Sequence, residues 1–208
     1  MIRRNMLPIS QSTLSPAEAG RPLRSDAQSN RQTLIDATRR LFARDGSAVS
    51  LRTVASEAHV GIGTLYRHFP TRDDLTVALV EDTHDRVAFL VDRYAGSWND
   101  GPLKAWTSFA TELAQLVAAV VATNTESDPQ TPTATARINQ LRLESLTAID
   151  KILTRAKASG LAAEGIEPDR FLAGLGVIGR PLISEINERI PHQTDWLIAV
   201  YLRGLRDA

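Results

Sequence analysis

Thr64, Tyr66, Arg67 and His68 stand close together in the stretch SLRTVASEAHVGIGTLYRHFPTR, which runs from Ser50 to Arg72. They bring hydroxyl, phenol, guanidinium and imidazole groups into one short segment. That inventory suits phosphate oxygens and the base edges of a DNA major groove. Gly61 and Gly63 carry no side chain, so the backbone there can approach a duplex closely. Arg72, one turn further on, is placed to reach a phosphate from outside the groove.

Such groups need a rigid support, and the same stretch reads as two short helices joined by a tight turn. Leu51, Val54, Ala55 and Ala58 repeat at helical spacing and give the first helix one apolar stripe. Ser50 is a good N-cap, and Thr53 is a weak helix former inside a helix of about two turns. His59-Val60-Gly61 breaks the period. A second helix runs from Ile62 to Phe69, where Pro70 stops it. Leu65 and Phe69, four apart, face inward. The same pair also fits the surface of an unrelated bundle, with Tyr66 and His68 as amphipathic filler, because helix-turn-helix spacing alone does not separate the two.

The segment Asn30 to Leu79 resembles the N-terminal domain of the TetR family of transcriptional regulators. Its pattern is RQTLIDATRRLFARDG followed by SLRTVASEAHVGIGTLYRHFPTRDDL, and the run Thr64 to Phe69 followed by Thr71 to Leu75 is the most specific part. The remainder of the chain fits that family in size and helical content. The resemblance implies an all-α protein. A three-helix helix-turn-helix DNA-binding domain would occupy residues 27–75, and a helical effector-binding and dimerisation domain residues 76–208. It implies a repressor released by a small molecule, binding double-stranded, near-palindromic operator DNA as a homodimer. An activator or architectural DNA binder with no effector is the alternative.

By the same resemblance Arg52 reads bases, Thr64 and Tyr66 contact phosphate and base, and His68 and Arg72 contact the DNA backbone. Thr53, Gly61, Ile62, Gly63, Leu65 and Arg67 complete the expected DNA surface. Two positions depart from the family pattern. His59 stands where many members have glycine, and Gly61 where a serine-like cap is common. Histidine can enter the left-handed region and glycine is an acceptable cap, so the turn is expected to survive. Ile62, apolar where some members carry an amide, can meet a thymine methyl but cannot hydrogen-bond a base.

Composition bounds the rest. The chain of 208 residues has 24 basic and 24 acidic side chains, a net charge of zero. The distribution is uneven: residues 1–75 hold 11 Arg against 7 Asp or Glu, and the remainder holds 13 Lys or Arg against 17 acids. A basic front on an acidic body fits a protein that meets DNA at one end. With no cysteine, disulfides and thiolate metal sites are excluded. No apolar run approaches the roughly 20 residues that span a bilayer, and the start has no signal-peptide core, so a soluble, cytoplasmic protein is expected. No Gly-x-Ser-x-Gly elbow, Walker loop or dinucleotide fingerprint is present, and the four histidines form no triad. Neither an enzyme nor a cofactor is expected. Glu81, His84 and Asp85 share a helix face at i, i+3 and i+4, but the sign-alternating EDTHDR reads better as a solvated face than as a metal site.

Taken in order, residues 1–26 mix prolines with Ser, Gln and Arg and read as a disordered arm. In it Arg3, Arg4, Arg21 and Arg24 are candidates for minor-groove or backbone contact, and a solvated tail without a role fits them as well. A helix over Ala27 to Asp45 buries Leu34, Ala37, Thr38, Leu41 and Phe42 and ends at Gly46. Arg31 on it could touch a phosphate. A long helix follows from Thr71 to about Tyr94, a lever between the two domains. Further helices are expected from Pro102 to about Val120, Ala134 to Ser159, Glu167 onward and Thr194 to Arg206. The polar run Thr123 to Pro132 reads as a loop at the lip of a pocket. Trp98, Trp106, Phe109, Leu113, Asn139 and Arg142 are the expected pocket lining, with a filled core as the alternative. Gly174, Gly176 and Gly179 within one helix call for close approach of a partner helix, and Pro181 should interrupt that helix. Phe171, Leu175, Ile178, Trp196, Val200 and Tyr201 are the expected dimer contacts, through two terminal helices from each copy.

Overall fold

The computed structural model describes residues 21–121, 123 and 132–207. Among them the chain forms nine α-helices, one 3-10 turn and no strand. Helix α1 spans Arg21–Asp45, α2 Leu51–Glu57, α3 Ile62–His68 and α4 Arg72–Ser97. A 3-10 turn over Trp98–Asp100 leads into α5, Pro102–Val121. Then come α6 Pro132–Ala158, α7 Pro168–Ile178, α8 Ser184–Arg189 and α9 Gln193–Gly204.

Local chemistry accounts for most of the boundaries. Ser50 caps α2 by accepting the Thr53 N–H at 3.1 Å. Thr71 and Asp74 form a capping box at the start of α4, each side chain bonded to the other's backbone N–H. Gly46 and Gly160 lie at φ 85° and 66°, the left-handed positions that let α1 and α6 stop. His59 adopts φ 55°, as expected of a histidine standing in a turn where glycine is common.

Two boundaries differ from expectation. Helix α1 begins at Arg21 rather than Ala27, because Pro22 falls in the first turn, where a missing N–H costs no intrahelical bond. The expected N-terminal arm with Arg3 and Arg4 otherwise lies outside the described residues, as does most of the polar run expected at the lip of a pocket. Helix α4 continues through Gly96 to Ser97, so the break before α5 is the 3-10 turn itself.

The apolar residues collect in two clusters. One joins Leu34, Leu41 and Phe42 of α1, Val54 of α2, Leu65 of α3, and Leu75 and Leu79 of α4, with Ala118 and Ala119 of α5 against it. The other runs from Val87 and Tyr94 of α4 through α5, α6 and α7 to Ile198 and Leu202 of α9. Helix α4 contributes to both. At the middle of the second cluster Trp106 stacks on Phe171 at 4.9 Å and on Phe109 at 6.3 Å, and Tyr94 meets Phe109 edge-on at 5.9 Å. Such rings bury large areas and favour these offset and edge geometries.

The glycines of α7 mark where helices approach most closely. A Cβ at Gly174 would overlap the Tyr201 ring of α9, one at Gly176 would overlap Val121 of α5, and one at Gly179 would overlap the Ala114 carbonyl of α5. Close approach is indeed their role, and within one chain. Helix α7 ends at Gly179, and the segment containing Pro181 separates it from the short α8.

Candidate nucleic-acid interface

Helix α3 is pinned from below and free above. Leu65 is fully buried and Phe69 nearly so, both in the first apolar cluster. On the outer side Tyr66 is 50 % exposed and Ile62 37 %, and Arg67 is exposed. Thr64 and His68 are half-buried at the flanks of that face. Gly61 caps the helix without a side-chain bond; a Cβ there would meet only the Thr64 hydroxyl, at 3.9 Å, and one at Gly63 would point into open space. Arg52 and Thr53 project from α2 on the exposed side.

The hydrogen-bonding state of the arginines separates candidates from structural groups. Arg40 pairs with Glu57 at 3.2 Å and Arg44 with Asp45 at 2.7 Å. Arg31 lies over the Phe69 ring at 5.3 Å, a cation–π contact that holds it beside the end of α3. Arg52 and Arg67 have no ion-pair or hydrogen-bond partner among the described residues. Free guanidinium groups flanking a half-exposed tyrosine and a threonine hydroxyl are what phosphate and base-edge contacts require.

Two of the expected DNA contacts are corrected by this geometry. Leu65 lies wholly inside the core and cannot touch DNA, since its helical position faces α1 and α2. Arg72 directs its guanidinium inward, donating to the carbonyls of Ser47 at 2.7 Å and Val49 at 2.5 Å. It locks the turn before α2 instead of reaching a phosphate. Arg72→Gln is therefore expected to lower stability by about 1.5–3 kcal/mol, as for bonds from charged donors. Thermal denaturation should register the loss, while the slope of log affinity against log salt stays unchanged. A flatter slope would return Arg72 to the phosphate contacts. Thr53 shares a 2.8 Å hydrogen bond with the Ser50 hydroxyl and remains on the exposed face.

Behind the interface a polar network joins α1 to α4. Arg39 donates to the Thr83 hydroxyl at 2.7 Å and pairs with Asp82, which also receives Arg86 at 2.8 Å and Gln32 at 3.0 Å. Arg86 reaches Asp36 at 3.0 Å. Burial pulls the Arg39 guanidinium below its ordinary value, and Asp82 opposes that shift.

Thr83 also faces the other way, into a cavity of about 120 Å³ bounded by α4, α5, α6 and α7. Of the residues expected to line a pocket, only Arg142 does so. Trp98, Trp106, Phe109 and Leu113 are buried in packed core, the first three as rings too well stacked or enclosed to leave space. Asn139 points to solvent from α6. The observed lining includes Val87, Val117, His84 and Ser145. His84, read from the sequence as part of a solvated face with Glu81 and Asp85, turns inward instead and bonds Ser145 at 3.0 Å, while Glu81 pairs with Arg137 at 3.0 Å. No group of three metal-binding side chains converges among the described residues. A run of small branched residues on α5, Val117, Val120 and Val121, was the sequence signal for the cavity wall.

The expected dimer contacts divide likewise. Phe171 and Leu175 are fully buried within the chain, and the Tyr201 hydroxyl donates to the Phe171 carbonyl at 3.2 Å, so these three hold α9 onto α7. Ile178 is half-buried. Trp196 and Val200 are exposed on α9, joined by Val177 and Ile183, both at least 60 % exposed and not anticipated from the sequence.

Fold and site together define an all-α helix-turn-helix protein with a second helical body behind the reader. Residues 34–79 match the family model described as bacterial regulatory proteins, tetR family. The match takes in the second half of α1, all of α2 and α3 and the start of α4, and over that segment the chain is similar to the family. An HTH-type transcriptional regulator of Staphylococcus aureus (strain USA300) is 37% identical over 60 residues, which is 28% of this chain and 32% of that regulator. The match thus spans about a third of the curated relative's length. Among solved structures, a TetR transcriptional regulator from Streptomyces coelicolor is 25% identical with a TM-score of 0.57, covering 85% of this chain and 98% of its own. A TetR transcription regulatory protein from Mycobacterium vanbaalenii is 26% identical at TM-score 0.54, covering 89% and 99%. No helix among the described residues is long and apolar enough to cross a membrane.

Proposed function

We propose that the protein is a cytoplasmic transcriptional repressor that binds operator DNA as a homodimer and is released by a small molecule. One observation carries the reading: the outer face of α3 presents Tyr66 and Arg67 unpaired, over a helix whose inner face is locked by Leu65. Residues 27–75 form the DNA-binding domain in this reading and residues 76–208 the effector and dimerisation domain. The two apolar clusters support that division, with α4 running through both.

Dimerisation falls to the C-terminal helices, where Val177, Ile183, Trp196 and Val200 are each exposed. A two-fold mate there covers side chains that are costly to leave in water. Two readers about 34–36 Å apart then call for a near-palindromic operator.

Release follows from the position of Thr83. An occupant of the cavity presses on α4 at Thr83 and His84, and Thr83 holds Arg39 of α1. Occupancy is thereby linked to the tilt of the reading head. The shift is limited by the ligand's differential affinity for the two arrangements.

Tyr66→Ala tests the core of this reading. It should weaken binding to a duplex selected from a random-sequence pool by about 1–3 kcal/mol, leaving the dimer and its melting temperature unchanged. Equal affinity for variant and parent in a gel-shift titration would sink the assignment of α3 as the reader.

A further inference from the structure

The cavity has both a defined size and a charged group at its rim. At about 120 Å³ it is close to the roughly 150 Å³ apolar hole that admits benzene in an engineered protein core. It is well below the ~300–1,000 Å³ of a drug-sized pocket. One ring or a short branched chain fits; a long acyl tail or a polycyclic compound does not. Most of the wall is hydrocarbon, with Val87, Val117, Ile149 and Leu172 from four different helices.

The polar groups gather on α6 and the facing turn of α4. Arg142 and Ser145 lie one turn apart on α6, and His84 of α4 bonds Ser145 at 3.0 Å. Arg142 is exposed at the rim of the cavity and makes no ion pair or hydrogen bond among the described residues. The acid in the lining, Asp169, is differently placed: it accepts the Arg170 N–H at 2.7 Å and stands in the first turn of α7, where the helix dipole favours an anion. Arg142 is the cation free to turn toward an occupant, while His84 has the Glu144 carboxylate at 3.7 Å on its other ring nitrogen. A guanidinium is also the side chain best shaped to hold a carboxylate by two parallel bonds.

We propose that this cavity binds a compact monocarboxylic acid, a single ring or short chain whose hydrocarbon lies against the valines and whose carboxylate meets Arg142 beside the His84–Ser145 pair. The proposal rests on the cavity being the effector site. A neutral ligand of the same size would use only the wall, and a cationic one would have to choose Asp169.

Benzoate, hexanoate, benzyl alcohol and benzylamine serve as probes on the full chain, read by thermal shift and isothermal titration. Benzoate or hexanoate should raise the melting temperature with concentration and bind at least tenfold tighter than benzylamine. Arg142→Gln should weaken the acid at least tenfold and leave benzyl alcohol binding unaltered. Failure of both acids to bind, benzylamine binding as tightly as benzoate, or full retention of acid affinity in Arg142→Gln would each overturn the proposal. Gel shifts with the selected duplex separate the two readings. Acid binding that depends on Arg142 without release of DNA upholds the ligand class and refutes effector-driven release.

Discussion

Leu65→Ala is expected to cost about 2–5 kcal/mol of folding stability and to remove DNA binding with it. Leu65 is the inward anchor of a helix only seven residues long. An isolated helix of that length does not hold in water, since nucleation is not repaid over two turns. Helix α3 therefore exists because Leu65 and Phe69 are buried against α1 and α2. Truncation leaves a cavity under the reader and frees its orientation. Circular dichroism on heating should show an earlier transition, and gel shifts should show loss of the specific complex even below that transition. The contrast with Tyr66→Ala is informative, because that change alters affinity alone. A Leu65→Ala protein that melts like the parent would mean that α3 is held by something other than this anchor.

Gly179→Ala carries the second large effect. Most overpacking changes cost about 1–3 kcal/mol because neighbouring side chains rotate away. Here the neighbour is the Ala114 backbone carbonyl of α5, which cannot rotate, so the helices themselves must part. The expected loss lies at or above the upper end of that range, and the melting temperature should fall accordingly. Gly204→Ala is the matched control. That glycine lies in α9 with open space where an alanine Cβ would sit, so the substitution should be neutral or slightly stabilising there. An unchanged melting temperature for Gly179→Ala would show that α5 and α7 are not in close contact at this point.

Local signals are legible in the chain because they act over a few residues. Ser50, Thr71 and Gly46 each set a helix end through their own backbone or a bond three residues away. The spacing of Leu34, Leu41 and Phe42 defines a core face without knowledge of its partner. Residue types that serve several roles are not legible in the same way. Arg72 and Arg67 are both basic residues beside the reader, yet one is spent on the Ser47 and Val49 carbonyls and the other is free. Trp106 and Phe109 suit a pocket wall or a packed stack equally well, and only the placement of Phe171 from α7 decides for the stack.

Sequence by itself determined the helical class, the paired short helices with their turn at His59, and the outward set of Thr64, Tyr66 and Arg67, because helical periodicity and caps are written within a turn or two of the chain. Tertiary structure alone decided that the α7 glycines admit α5 and α9 of the same chain, that Phe171 and Leu175 are core and not partner contacts, and that the cavity opens beside His84 and Arg142. Those outcomes depend on which faces meet across long stretches of chain, and the volume left between four helices is a small difference between large filled spaces that no local pattern encodes.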